Sequence, residues 1–300
     1  MKLKDNMPKI PPTFARPRSY TLALAIPRFE DMFNSFYALE IIKGIGAASS
    51  RLGLDFTVHV TERGRREALF EKKLFDVKYF DGILFADVDG DAELLGKVTA
   101  SGVPYLVMNN FYADEKINCV GIDNMTGAAE AVRYLIELGH RNIATITGNM
   151  GTQAGLERLS GYKDALVQAK INVRGDYIAD GAFIRAGAKE AAKDLLRSKP
   201  RPTAIFCASD LMALEAIAII EEEGLRVPDD VSIIGFDNSP LAAGARVPLT
   251  SVEQPLFEMA RQGAEILNQI IQNKKKPPVK ILLPTKLIKR ESTAAHKREA

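Results

Sequence analysis

The chain has little of what marks a membrane protein, a disulfide scaffold or a metal centre. No stretch approaches the ~18 consecutive apolar residues of a membrane span. The N-terminal MKLKDNMPKIPPTFARPRSY carries charge and four prolines, where a signal peptide needs an apolar run of ~7–15 residues. A cytoplasmic protein is the expectation. Two cysteines, Cys119 and Cys207, stand far apart in apolar, strand-like surroundings. They read as small buried hydrophobes, and no disulfide framework follows. Three histidines, His59, His140 and His296, show neither metal-ligand spacing nor a serine or cysteine partner. Gly44-Ile45-Gly46 lies inside an apparent helix, well past its strand, so it is no phosphate loop. No enzyme activity, metal or cofactor is therefore expected. Forty basic residues against 38 acidic leave a net charge of +2, which argues neither for nor against nucleic acid.

What the chain does have is a long βα alternation. At 300 residues it exceeds one typical domain and can bury about three quarters of its unfolded surface. Residues 1–19 read as an extended arm, because Pro8, Pro11, Pro12 and Pro17 cannot share a short helix. Strands are expected at Thr21–Pro27, Phe56–Val60, Gly82–Ala86, Val103–Met108, Asn142–Thr147, Tyr177–Ala179, Thr203–Cys207, Val231–Gly235 and Leu249–Val252. Helices are expected at Leu39–Leu52, Glu67–Phe75, Ala92–Ser101, Thr126–Leu138, Leu156–Ala169, Ala186–Arg197, Leu211–Glu223 and Leu256–Gln272, with a loop at Leu241–Gly244 and a last extended segment, Val279–Lys289. Nearly every strand is a continuous apolar run, the pattern of a parallel sheet covered on both faces. The pattern restarts at Asn142 after a Gly139-His140 helix stop, and the helix at Leu256 follows an extended connection. Two lobes with a second crossing of the chain are the simplest arrangement.

Polar residues gather where strands end, the place where open α/β sheets bind ligands. The stretch VPDDVSIIGFDNSPLAAGARVPLTSVEQP turns polar at Asp237 and ends in Gln254. VGIDN places Asp123 and Asn124 after a strand, Arg158 lies early in a helix that follows a Gly-rich loop, and CASD places Ser209 and Asp210 at a helix start. Phe36, Tyr37, Phe111 and Phe183 supply aromatic faces. Carboxylates and a guanidinium that pair with hydroxyls, beside a ring that covers an apolar face, suit a neutral polyhydroxylated ligand such as a small sugar. Each residue also has a plainer role. Asp237 suits a turn, Asp210 an N-cap, Asp123-Asn124 a helix start, Arg158 a solvated helix surface and Phe183 ordinary core.

The blocks VGIDNMTGAAEAVRYLIELGHRNIATITG, RLSGYKDAL, PTAIFCASDLMALEAIAIIEEEGLRVPDDVSIIGFDNSPLA and LTSVEQP, in this order, closely resemble the effector-binding core of the LacI/GalR family of bacterial transcriptional regulators. The resemblance runs from Thr21 to Ser292. It implies a periplasmic-binding-protein-like type I fold, with two doubly wound parallel-sheet lobes, three crossovers, an effector in the interlobe cleft, and a homodimer. Residues 20–138 with 255–283 would form the first lobe, 139–254 with 284–293 the second, and 294–300 a tail. By motif, Asp123, Arg158 and Asp237 take effector-contact positions, Phe183 a stacking aromatic, Ser209-Asp210 the Asn/Ser-Asp pair, and Gln254 a hinge-strand position. Phe36 and Tyr37 take aromatic positions in the first lobe.

One departure stands out. Family members begin with a helix-turn-helix of about fifty residues and a hinge helix, whose recognition helix reads the major groove, and residues 1–19 cannot hold that. The expectation is a sensing core of a repressor-type regulator that binds a sugar and reaches DNA only through a head absent from the chain. The loop Gly151–Gly155 lacks the arginine that a purine-type effector would need, which favours a neutral sugar. The competing reading, the solute-binding protein of a transporter, shares the fold but calls for an export signal and an anchor cysteine.

Overall fold

The structure is a computed structural model that describes residues 18–29, 32–61, 79–88, 92–113 and 116–296. It divides into two compact units, 1–121 with 256–282 and 122–255 with 283–300. The chain passes between them three times. The arm expected over 1–19, apart from Arg18 and Ser19, and the helix expected at Glu67–Phe75 lie outside the described residues, as do 297–300 of the tail.

The first unit is built on β1 (Thr21–Pro27), α1 (Phe36–Leu52), β2 (Asp55–Thr61), β3 (Gly82–Ala86), α2 (Ala92–Ser101), β4 (Tyr105–Asn109) and the start of β5 (Cys119–Ile122). The second contains α3 (Asn124–Glu137), β6 (Ile143–Thr147), α4 (Gln153–Gln168), β7 (Ile178–Asp180), α5 (Arg185–Arg197), β8 (Ala204–Cys207), α6 (Asp210–Glu222), β9 (Ser232–Asp237), α7 (Pro240–Ala243) and β10 (Thr250–Glu253). Then α8 (Leu256–Ile271) and most of β11 (Lys280–Leu283) return to the first unit, and β12 (Lys286–Ile288) ends in the second. The expected last segment, Val279–Lys289, is thus two strands in two sheets, split at Pro284-Thr285.

Strand order is β11-β5-β4-β3-β1-β2 in one sheet and β12-β10-β9-β8-β6-β7 in the other. The central pairs are parallel, with Leu24 opposite Leu84 in the first sheet and Ile205 opposite Ile233 in the second. The short β12 runs antiparallel to β10. β1, β3, β4, β6 and β8 are buried almost end to end, as strands with helices on both faces must be. The fold is α/β, with two lobes each built on a largely parallel sheet. Among the described residues no helix is long and apolar enough to cross a membrane.

Four differences from the expected elements have local causes. The helix expected from Leu39 starts at Phe36, because the Ser35 side chain caps it by accepting from the Ala38 N–H. That of Leu156 starts at Gln153 behind Thr152, which caps through Gly155 N–H. The loop expected at Leu241–Gly244 is instead the short helix α7, with Pro240 at its first turn supplying a preset φ. Residues 122–138, expected in the first lobe, belong to the second. Ala128, Ala131, Val132 and Leu135 of α3 share one apolar cluster with Tyr162, Leu166, Phe206 and Phe236, and Gly161 of α4 lies so close to Met125 that an added Cβ would stand 2.2 Å from its carbonyl oxygen.

Candidate functional site

At the ends of β9 and β10 in the second unit a polar cluster forms around one guanidinium. Arg158 lies in α4, and only 4% of it is exposed. Its Nε donates to Asn124 Oδ1 at 2.9 Å, Nη1 to the Ala208 carbonyl at 2.6 Å, and Nη2 to Gln254 Oε1 at 3.3 Å. The Asp237 carboxylate stands 3.9 Å from Nη1. The plane of the guanidinium lies over the Phe236 ring, 3.7 Å from its centroid, and the Phe183 ring is 5.8 Å away. A buried charge needs this degree of pairing.

Gln254 spans the cluster. Its Oε1 accepts from Arg158 while its Nε2 donates to Asp237 Oδ1. The strand register explains the meeting, since β10 pairs with β9 so that Glu253 lies opposite Asp237. Asp237 itself extends β9 two residues past the expected end at Gly235. It has φ of 128° and Asn238 has φ of 52°, left-handed values that cost a non-glycine residue about 1–3 kcal/mol each and concentrate at functional sites. A fifth of the Asp237 side chain stays exposed. Here the carboxylate is an open acceptor rather than only a turn residue.

Burial pushes the Asp237 carboxyl well above the ordinary carboxylate range, and the Asp210 charge pushes it further; Arg158 and Gln254 pull it back. Burial raises the Asp210 carboxyl as well, against the hydrogen bonds of Ser251 and Ser239. Asp210 is not the N-cap of α6. Ser209 is, with its oxygen accepting from Met212 N–H. Asp210 instead accepts from Ser239 N–H at 2.7 Å and Ser251 Oγ at 2.5 Å, and Gly235 leaves room for it, since a Cβ there would meet Oδ1 at 2.3 Å.

Phe183 is displayed by a second strained pair, with φ of 50° at Ala182 and 62° at Phe183. The Ala182 N–H donates to Asp180 Oδ1 at 2.9 Å and Gly181 N–H to the Thr147 carbonyl at 3.0 Å. The ring lies flat on Gly148, where a Cβ would stand 2.0 Å from its edge. Asp123 caps α3 through Thr126 N–H at 3.0 Å, beside the Asn124 that holds Arg158. Phe36 and Tyr37 belong to the first unit, in the opening turn of α1, and Tyr37 meets Phe29 edge to face.

Within the second unit, then, Asp237 and Gln254 meet Arg158 directly, Phe183 stands near it, Asp123 precedes its partner Asn124, and Ser209-Asp210 follows the carbonyl that receives it. The sequence reading misses Phe236, Ser251 and Arg290 as parts of the cluster, and reads Asn124 as part of a helix start rather than as the acceptor that holds Arg158. The Phe-Asp-Asn run after an apolar strand was a usable signal for Phe236; Arg290 lies 52 residues beyond Asn238, and nothing local marks it. Glu157 is a further carboxylate here. It accepts from Asn124 Nδ2 at 3.2 Å, and burial raises its pKa.

A family model described as a periplasmic binding protein-like domain matches residues 132–293. The HTH-type transcriptional regulator CelR of Thermobifida fusca is 34% identical over 283 residues, covering 93% of this chain and 83% of that regulator. This chain belongs to the LacI family of transcriptional regulators. The HTH-type transcriptional repressor CytR of Escherichia coli K12 is 36% identical over 284 residues, covering 93% of this chain and 81% of the repressor. The solved complex of the transcriptional regulator CelR with cellobiose matches 92% of this chain and 85% of its own, with a TM-score of 0.85 at 35% identity. These LacI-family relatives are regulators, so the transporter reading gives way to transcription regulation.

Proposed function

We propose that this LacI-family chain senses a small neutral saccharide, which binds at Arg158, Asp237 and Gln254 with Phe183 covering one face of the ring. The observation that carries the proposal is the committed state of the guanidinium. Three of its five N–H donors already serve Asn124, Ala208 and Gln254, so it stiffens the site and keeps few donors for an anion. The acceptors near it, Asp237, Asp123 and Glu157, suit hydroxyl donors and repel phosphate or carboxylate groups. Cellobiose, the ligand in the CelR complex, belongs to the same class. Ser209 and Asp210 support the floor of this site.

In the same proposal the protein is a cytoplasmic homodimer of repressor type, without enzyme activity, and the saccharide changes DNA-dependent transcription. The ligand shifts that equilibrium only by its differential affinity for the two states of the dimer. Kinship with the HTH-type regulators supports this part. A thermal-shift screen of the 300-residue chain tests it. A ligand at about 100 times its Kd adds ~2.7 kcal/mol of stability, so a neutral mono- or disaccharide should raise the Tm while sugar phosphates and nucleobases leave it unchanged. A shift confined to sugar phosphates would contradict the reading.

A further inference from the structure

Asp237 and Asn238 follow one another with positive φ, and such a pair persists only where its surroundings hold it. The holding groups converge on Asn238. Its backbone N–H donates to Ser251 Oγ at 3.0 Å, and its Nδ2 donates to Glu253 Oε1 at 3.0 Å. Its Oδ1 accepts from Arg290 Nη2 at 2.6 Å. Arg290, on the segment after β12, is fixed in turn. Its Nη1 donates to the Leu249 carbonyl at 2.7 Å and its backbone N–H to Thr250 Oγ1 at 2.9 Å. Two separate stretches of chain, β10 and the segment after β12, therefore grip one side-chain amide next to the site. The Ser251 hydroxyl that receives Asn238 also donates to Asp210, so the same clamp reaches the buried second carboxylate.

We propose that Asn238, held between Arg290 and Glu253, is the positioning residue that aims the Asp237 carboxylate at Gln254 and Arg158, and that the chain's last segment thereby sets ligand affinity. The inference deepens the proposed function and rests on Asp237 contacting the ligand. An asparagine suits the task. Asn tolerates the left-handed region better than most residues, and its amide offers a donor to the carboxylate and an acceptor to the guanidinium at once. An ordinary turn-forming role would need only the backbone conformation, which glycine supplies without strain.

The experiment uses that difference. Asn238→Gly keeps the backbone conformation accessible and removes both side-chain bonds, while Asn238→Asp keeps the acceptor for Arg290. Crystal structures and melting temperatures of both variants and the parent would be combined with titrations of cellobiose and other neutral mono- and disaccharides, with Asp237→Asn alongside. The expected result is an Asn238→Gly protein that melts like the parent, with the Asp237 carboxylate moved off Gln254 and affinity lowered about tenfold or more; Asn238→Asp stays closer to the parent. An Asn238→Gly structure with Asp237 still on Gln254, or unchanged affinity, would overturn the positioning role. An Asp237→Asn protein that binds like the parent would overturn the saccharide reading of the site, and the crystal comparison would still decide the clamp.

Discussion

Gln254 joins Asp237 to Arg158: its Nε2 donates to the carboxylate and its Oε1 accepts from the guanidinium at 3.3 Å. The carboxylate and the guanidinium themselves stand 3.9 Å apart, at the edge of an ion pair. One amide thus carries much of the geometry between two opposite charges, and the site's response to substitution follows from that.

Arg158→Ala should damage the fold as well as the site. The side chain is buried, serves three acceptors and lies on Phe236. Removing one member of a buried charged network costs about 3–5 kcal/mol. Urea denaturation should show a loss of that size; an unchanged midpoint would mean that the cluster relaxes freely.

Asp237→Asn should do the opposite to the ligand-free protein. The folded state raises the carboxyl's pKa, so between the ordinary carboxylate range and neutrality the native state holds a proton that the unfolded chain has lost. Stability from this group is therefore present at low pH and lost as pH rises through the folded pKa. The asparagine variant removes that loss. Melts from pH 5 to pH 8 should show a smaller decline for it than for the parent, with equal or higher stability at pH 8.

His140 sets an acid limb of opposite sign. It is buried against Thr203 Oγ1 and the Ala294 carbonyl. The carbonyl takes a proton from Nε2, which leaves Nδ1 to accept from Thr203. Burial lowers its pKa from 6.5 to about 4. The stability it contributes is whole above pH 6.5 and lost as pH falls towards 4, up to ~3 kcal/mol. His140→Asn should flatten urea midpoints between pH 7 and pH 5, and a parent-like slope would contradict this assignment.

Gly148→Ala and Gly161→Ala should part company. A Cβ at Gly148 meets the Phe183 ring, which can swing away, whereas a Cβ at Gly161 meets the Met125 carbonyl oxygen at 2.2 Å. The first should lower saccharide affinity with little change in Tm. The second forces α3 from α4 and should cost about 1–3 kcal/mol. Paired melting and titration of the two variants decides it.

The parallel strands could be read from the sequence because each is a nearly unbroken apolar run, and β1, β3 and α2 were legible to the residue. Helix starts were less so. Three helices begin two or more residues earlier than their apolar period suggests, because Ser35, Asp123 and Thr152 cap them and the first turn need not be apolar. Asp237, Arg158 and Gln254 were legible as polar residues at the ends of apolar runs. Asn238's partner Arg290 was not, since a contact across 52 residues leaves no local pattern. Nor was the exchange of roles between Ser209 and Asp210, where two adjacent residues both cap well and only the positions of Ser239 and Ser251 decide which is freed.

The central claim is that Asp237 and Gln254 hold the ligand, and the direct measurement is calorimetric titration of the neutral saccharide that most raises the Tm, into the parent, Asp237→Asn and Gln254→Ala proteins. The loss of a charge-assisted contact costs ~1.5–3 kcal/mol, so each variant should bind about tenfold or more weakly while remaining folded. Parent-like affinity in both would place the ligand elsewhere and contradict the account.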